Sequence, residues 1–415
     1  MRAKAVKPWT MGAGLGLGVL SVINLFNYLD RYVVAALFQS LKASRLGLTD
    51  ADLGSLMSGF LIVYTLSAPV FGTLGDRRSR PKLIAAGVAI WSLATGLSGL
   101  AGSFLALFAA RASVGIGEAA YGTIAPSLLS DYYPAARRGR VMAIFFSAIP
   151  IGSALGYVIG GLVDARYGWR PAFFVAGVPG IALAALCLGL RDPPRGIQDC
   201  AAPRPLPADA RGTYRRLLGN GTYVLTVLGY AAYTFAIGGL AAWMPAFLER
   251  VRGMPSAQAT VNFGEIVVIT GFLGTFVGGW LGDLWARRQR SAFLWLCALS
   301  TLAAAPFVWL ALTTASPRLY LVSMVIAQFC LFLSTGPVNA AIVNLVSPLE
   351  RATAVALSVF SIHMLGDAIS PYLIGVISDA SSLAEAVKIV PVAVVVSGAI
   401  WVLAARVQDA SAAPG

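Results

Sequence analysis

Charge is scarce in this chain. Asp, Glu, Lys and Arg make up 12% of its 415 residues, against roughly 25% in a soluble domain, so a water-soluble globular protein is excluded. Histidine occurs once, at His363, and cysteine four times, at Cys187, Cys200, Cys297 and Cys330. The cysteines lack paired spacing, which argues against disulfides and a metal centre. No nucleophile–base arrangement, nucleotide motif or phosphate-cradling glycine loop is present, so neither an enzyme nor an ATP-driven machine is expected, and no cofactor. Acidic residues number 18 against 31 basic ones, a net charge of +13. The basic residues sit in short clusters between apolar runs, which argues against a nucleic-acid partner. No cleavable leader is visible, because the first apolar run is too long and lacks a small-residue cleavage site.

Hydrophobic sequence is what remains. It accounts for 58% of residues, mean hydropathy is +0.76, and apolar runs of about 20 residues recur, the length that crosses a bilayer. The fold class expected is an all-α polytopic membrane protein with twelve transmembrane helices. They are placed near 11–40, 52–75, 81–101, 104–131, 140–163, 170–190, 219–247, 258–283, 291–313, 318–346, 352–377 and 388–406. Residues 191–218 form the only long hydrophilic connector, carrying four prolines between Pro193 and Pro205 and six arginines. This divides the chain into an N-terminal six-helix bundle (1–190), a linker (191–218), a C-terminal six-helix bundle (219–406) and a tail (407–415). With both termini in the cytoplasm, 21 of the 31 Lys and Arg fall on that side and eight on the other, which fits the positive-inside rule and an inner-membrane location.

The halves repeat. Gly72-Thr-Leu-Gly-Asp76, followed by Arg77, Arg78 and Arg80, recurs as Gly279-Trp-Leu-Gly-Asp283, followed by Arg287, Arg288 and Arg290. Phe146-Ser147 through Gly152 to Gly161 aligns with Phe360-Ser361 through Gly366 to Gly375, and Pro134 with Pro348. One six-helix unit used twice in parallel is a transporter signature, with a site expected between the halves near the midplane.

Within this apolar frame, Asn27-Tyr28-Leu29-Asp30-Arg31-Tyr32 puts two adjacent charges inside helix one. Each costs roughly 2.5–3.5 kcal/mol at the bilayer centre, so such residues by default face the bundle interior and mark a transport path. On a helical wheel Asn24, Asn27, Asp30 and Arg31 fall within about 120°. In helix four, Arg111, Gly115 and Glu118 share one stripe at i, i+4, i+7. Arg111 and Asp30 lie roughly 12 and 15 Å from the outer ends of their helices at 1.5 Å per residue, and Glu118 deeper. Asp30 with Arg111 and Arg31 with Glu118 are therefore possible pairs. A static salt-bridge cluster is the alternative to a proton switch. In the repeat register Arg111 aligns with Val325 and Glu118 with Phe332, so this chemistry belongs to the N-terminal half. Tyr230, Tyr233, Trp243, Phe329 and Phe332 are either cavity wall or plain core. His363 and Asp367, at i, i+4, are either a second coupling pair or a structural hydrogen bond, and Glu265 is hydrated or internal.

Gly72 to Lys82, Arg111-x-x-x-Gly115-Ile-Gly117 and the Gly152–Gly161 run resemble three motifs of the major facilitator superfamily. Asn27 to Tyr32, Gly115-Ile-Gly117-Glu118-Ala119-Ala120-Tyr121, Ala125-Pro126-Ser127-Leu128 and Ala148 to Tyr157 resemble its Spinster family of lysolipid and sphingolipid transporters. That resemblance implies a proton-coupled carrier working by alternating access on a lysolipid-like amphiphile, with protons as coupling ion. The proton-coupling residues expected are Asp30, Glu118 and Arg111, and the substrate contacts Arg31, Asn27, Tyr121 and Glu118. Gly72, Asp76, Arg77, Arg80 and Asp283 are expected to form a conformational latch, with Gly72 permitting close backbone approach and Arg77 and Arg80 pairing with Asp76. Partners expected are the amphiphile and the bilayer, with the protein a monomer. A carrier of a small organic anion or of drugs, and a non-transporting receptor, are the alternatives.

Overall fold

The computed structural model describes residues 10–198, 210–347 and 350–412. The N-terminal tail 1–9, the centre of the connector at 199–209 with Cys200, Pro348, and residues 413–415 lie outside the described residues.

Helices begin where their caps are. The N-terminal half comprises α1 (Thr10–Ala36), the short α2 (Phe38–Lys42), α3 (Asp50–Arg77), α4 (Arg80–Leu100), α5 (Phe104–Tyr132), α6 (Ala135–Tyr167) and α7 (Trp169–Leu188). Thr49 and Asp52 cap each other's backbone N–H at the start of α3, and Ser103 caps α5 through the Ala106 N–H, satisfying donors that a helix start leaves open. After the amphipathic α8 (Ala210–Gly219), the C-terminal half runs through α9 (Gly221–Arg250), α10 (Ser256–Ala286), α11 (Ala292–Thr313), α12 (Pro317–Phe332), α13 (Thr335–Asn344), α14 (Arg351–Ile362), a π-helical turn (His363–Asp367), α15 (Ser370–Ala380), α16 (Leu383–Ala386) and α17 (Ile389–Ala412). Twelve helical stretches among the described residues are long and apolar enough to cross a membrane.

Three expected helices are interrupted. The first breaks at Leu37 before α2, the tenth at Leu333–Ser334, and the eleventh contains the π turn. The tenth-helix break is held by hydroxyls: Ser334 Oγ lies 2.9 Å from Ser300 Oγ and 3.1 Å from Thr301 Oγ1, all buried. Gly278 makes room for it, since a Cβ there would lie 2.1 Å from the Leu333 carbonyl oxygen.

Packing within each half uses glycine. A Cβ at Gly152 would lie 2.4 Å from the Leu25 carbonyl oxygen, and one at Gly156 2.5 Å from that of Leu29. These glycines therefore seat α6 against α1 inside one half. Farther along α6, Gly161 instead meets the other half, against Thr260 of α10.

Hydrogen bonds between the halves gather at the end away from the termini. There Asp50, almost fully buried at the start of α3, accepts from Lys42 Nζ at 2.6 Å, from Arg250 Nη1 at 2.6 Å and from Ser378 Oγ at 2.5 Å. Asp379, at the end of α15, accepts in return from the Asp50 and Ala51 N–H groups at 2.8 and 2.7 Å. A carboxylate of one half thus caps a helix of the other, where the helix dipole favours it. Close backbone approach of Gly54 to Pro371 and of Gly375 to Asp50 completes the seal.

At the end carrying the termini, the connector is divided between the halves. Arg80, 1% exposed, binds Asp131 at 2.5 Å, Asp192 at 2.8 Å and the Pro193 carbonyl oxygen at 2.6 Å. Arg195 donates to the Gly75 carbonyl oxygen, and the Gly196 N–H to Asp131. Residues 191–196 are thereby part of the N-terminal half. Arg216 on α8 pairs with Glu350, and Asn220 donates to the Leu345 carbonyl oxygen, so the other end belongs to the C-terminal half.

The pairing expected of the latch is not formed in this conformation. Arg80 pairs with Asp131 and Asp192 and not with Asp76. Asp76, Arg77 and Asp283 are exposed, because the halves meet at the opposite end. Gly72 does not require close approach either: a Cβ there would sit 3.6 Å from Thr123, an ordinary contact, whereas at Gly75 it would crowd Ile124 at 3.0 Å.

Candidate functional site

Helix geometry brings the charges of α1 and α5 together. Arg111 Nη1 donates to Asp30 Oδ1 at 3.1 Å, its Nη2 to the Asp30 carbonyl oxygen at 3.3 Å, and Arg31 Nη2 to Glu118 Oε2 at 2.8 Å. Asp30, Arg111 and Glu118 are each no more than 1% exposed. Thr95 of α4, not anticipated from sequence, donates to Asp30 Oδ2 at 2.5 Å. Both Asp30 oxygens are therefore engaged. Glu118 Oε1, Asn27 Nδ2, and the Nε atoms of Arg31 and Arg111 are buried with no hydrogen-bond partner among the described residues. Unpaired polar atoms in a buried site are costly, so four in one cluster mark a place built for something besides packing.

Arg31 differs from Arg111 in its surroundings. Its guanidinium lies 4.8, 5.0 and 5.3 Å from the rings of Tyr28, Phe60 and Tyr64, so three aromatic faces hold the cation without neutralising it. It borders a pocket of about 40 Å³ between the halves, shared with Tyr32, Met57 and Asp367. Asp367 belongs to the π turn of the C-terminal half, and its carboxylate accepts from His363 Nδ1 at 3.0 Å. The His363 ring stands edge-on to Tyr64 across the interface, 6.1 Å between centroids. A π turn re-aims side chains within a helix and recurs at functional sites. Here it carries the C-terminal half's ionisable pair to the pocket beside Arg31.

A second cavity, about 560 Å³, adjoins the first along Tyr32 and Ala241, which border both. Its wall is almost wholly apolar, with Pro150 and Tyr157 of α6 facing Phe263, Phe272, Phe276 and Phe332. Phe332 thus lines the cavity. Trp243 and Tyr233 are instead core, with their polar atoms donating to the carbonyl oxygens of Pro371 and Leu331. Glu265 is exposed on α10.

The structure places Tyr121 away from both cavities. Its ring packs on Trp91 and Phe145, and its hydroxyl donates to the Leu20 carbonyl oxygen at 2.6 Å, so it braces α1 against α5. Asn27, one turn before Asp30 and Arg31, is buried with its Nδ2 unpartnered among the described residues, and Asn24 donates to the Phe145 carbonyl oxygen. Sequence reasoning passed over Asp50. Its signal was the capping pattern Thr49-x-x-Asp52 at a loop end, which locates a helix start but not a partner in the other half.

The family model described as Major Facilitator Superfamily matches residues 20–371. The chain is 37% identical over 387 residues to protein spinster homolog 1 of Homo sapiens, covering 88% of this chain and 73% of that one. The chain belongs to the Spinster group of the major facilitator superfamily. It is also 35% identical to protein spinster homolog 1 of Xenopus laevis over 87% of this chain and 72% of that one. Its fold matches the crystal structure of a bacterial homologue of the human lysosomal transporter Spinster, in an inward-facing and unoccupied conformation. That match has a TM-score of 0.87 at 26% identity and covers 95% of this chain and 97% of that one. A D-xylose–proton symporter shares the fold at a TM-score of 0.75. As a Spinster-type major facilitator, the protein is an integral multi-pass membrane transporter.

Proposed function

We propose that this Spinster-type transporter is a proton-coupled carrier of a single-chain anionic amphiphile of the lysolipid kind, working by alternating access as a monomer. In this reading the termini and basic loops face the cytoplasm across the plasma membrane, and the Asp50 clasp closes the outer face. The observation that carries the reading is the adjacency of two unlike spaces. One is a small pocket bordered by the aromatic-caged Arg31 and by Asp367, and the other is a large apolar chamber without a charged side chain in its wall. Arginine stays charged at every pH and binds phosphate or carboxylate bidentately. A chain of methylenes gains roughly 0.8 kcal/mol per buried CH₂. A small hydrophilic anion would leave the apolar chamber unused.

Proton coupling is assigned to the same cluster. Asp30 has both oxygens engaged by Arg111 and Thr95, whereas Glu118 keeps Oε1 unpartnered. A proton therefore adds at Glu118 with the least disruption. Adding it neutralises the charge that holds Arg31, and the guanidinium is released toward an incoming anionic headgroup. Asp367 lines the same pocket from the other half, and its partner His363 meets Tyr64 across the interface, so this pair supplies a second place where a proton alters the contact between halves.

Proteoliposomes with an imposed pH gradient test this. Wild type should accumulate a lysophospholipid with a pH-dependent rate, and Glu118→Gln should flatten that dependence. Uptake of a small organic acid alone, or an unaltered pH profile in Glu118→Gln, would sink the proposal.

A further inference from the structure

Gln328 is a carboxamide in the wall of the apolar chamber whose chemistry that reading leaves unused. It lies on α12, is 4% exposed, and borders the chamber on one side and a small apolar pocket with Leu240, Met244 and Met324 on the other. Its carboxamide has no hydrogen-bond partner among the described residues, and it is not among those whose partners are undescribed. Nor are its polar atoms sealed from space as those of Asn27 and Arg31 are. The residue itself borders the chamber.

An amide has two donors and an acceptor with two lone pairs. Placing it unsatisfied in an apolar wall is unfavourable, and leucine or methionine would fill the site without that cost. In the repeat register the same position in α5 is Val114, fully buried. The C-terminal half has thus gained an amide one turn before Phe332, the counterpart of Glu118.

We propose that Gln328 is a specificity-determining residue that hydrogen-bonds a neutral group of the substrate, an ester carbonyl or a hydroxyl, set between its charged head and its chain. A charged group is disfavoured there, because the chamber wall offers no counter-ion. The chemistry selected is that of an amphiphile with an oxygenated backbone over a plain alkyl anion. This inference rests on the amphiphile reading of the site.

Equilibrium binding to purified protein in nanodiscs tests it, using hexadecyl phosphate, hexadecyl-glycerol phosphate with a free hydroxyl, and palmitoyl-glycerol phosphate with hydroxyl and ester. Wild type should bind at least one glycerol probe about tenfold more tightly than hexadecyl phosphate, or about 1.4 kcal/mol. Preference for both assigns the hydroxyl, and preference for the ester probe alone assigns the carbonyl. Gln328→Met, close in volume, should erase the preference, and Gln328→Asn should keep part of it. The ratio is measured within each variant and is independent of its yield. A tenfold ratio unchanged in Gln328→Met, or equal binding of all three probes by wild type, overturns the role of Gln328 while leaving the amphiphile reading intact. Failure of wild type to bind any probe overturns both.

Discussion

The two halves are built on one repeat and have diverged in opposite directions. The N-terminal half holds four charges against each other on α1 and α5, within stretches of unbroken helix. The C-terminal half replaces Arg111 and Glu118 by Val325 and Phe332, and its tenth and eleventh helices are interrupted. The contrast has a physical logic. A buried ion pair tolerates little displacement, because pulling the partners apart leaves an uncompensated charge in a low dielectric. Straight helices seated through Gly152 and Gly156 keep those partners fixed. An apolar wall has no such demand, since dispersion contacts are many, weak and replaceable. The C-terminal half can therefore accommodate a hydroxyl-pinned break and a π turn.

The largest expected effect breaks this contrast at its strongest point. Arg111→Ala leaves Asp30 buried with Thr95 alone, and should cost about 3–5 kcal/mol of stability together with uptake. Val325→Ala, at the aligned and partly exposed position, should stay within about 0.5 kcal/mol. Thermal melting of the two purified variants beside wild type measures the difference, and similar losses would mean that the halves are not asymmetric in the way described. A matched pair should behave alike. Gly152→Ala would press a Cβ to 2.4 Å from the Leu25 carbonyl oxygen, and Gly366→Ala, its repeat counterpart, to 2.7 Å from that of Ala231. Each should lose about 1–3 kcal/mol by overpacking, read from the same melts. A loss confined to one half would show that only that half relies on close helix approach.

The smallest effect concerns the anchors of the connector, buried at Arg80 and exposed at Arg216. The hydrogen bond from Arg216, helped by Ser347, holds the Glu350 carboxyl below the usual carboxylate range. A carboxyl whose pKa is lowered on folding stabilises the fold above its ordinary pKa, and that contribution disappears as pH falls through the lowered value. Arg216→Ala should therefore melt slightly below wild type at neutral pH, with the gap closing on acidification. A gap that widens in acid would contradict the assignment.

The charged cluster was legible in the sequence because an α-helix fixes both angle and depth per residue. Once Asp30, Arg31, Arg111 and Glu118 are assigned to two neighbouring helices, few pairings remain. The clasp was not legible: Asp50 meets Arg250 and Asp379 across 200 and 329 residues of chain, and no local pattern encodes which loop ends will touch. The breaks at Ser334 and His363–Asp367 were hidden for another reason. At Ser334 it is hydroxyls packed from α11, a separate helix, that hold the backbone. Arg80 shows a third limit, since its position near Asp76 suggested a partner, and the fold turns it inward to Asp131 and Asp192.

The division of the connector bears on how the halves find each other. Residues 191–196 are folded into one half and α8 onto the other, so each anchor of the connector belongs to a single bundle. Two co-expressed fragments, split between the anchors, would face only the dilution of two-dimensional diffusion in one membrane, with every contact of the Asp50 clasp still encoded. In that sense the transporter is a heterodimer of diverged homologues that happens to be translated as one chain.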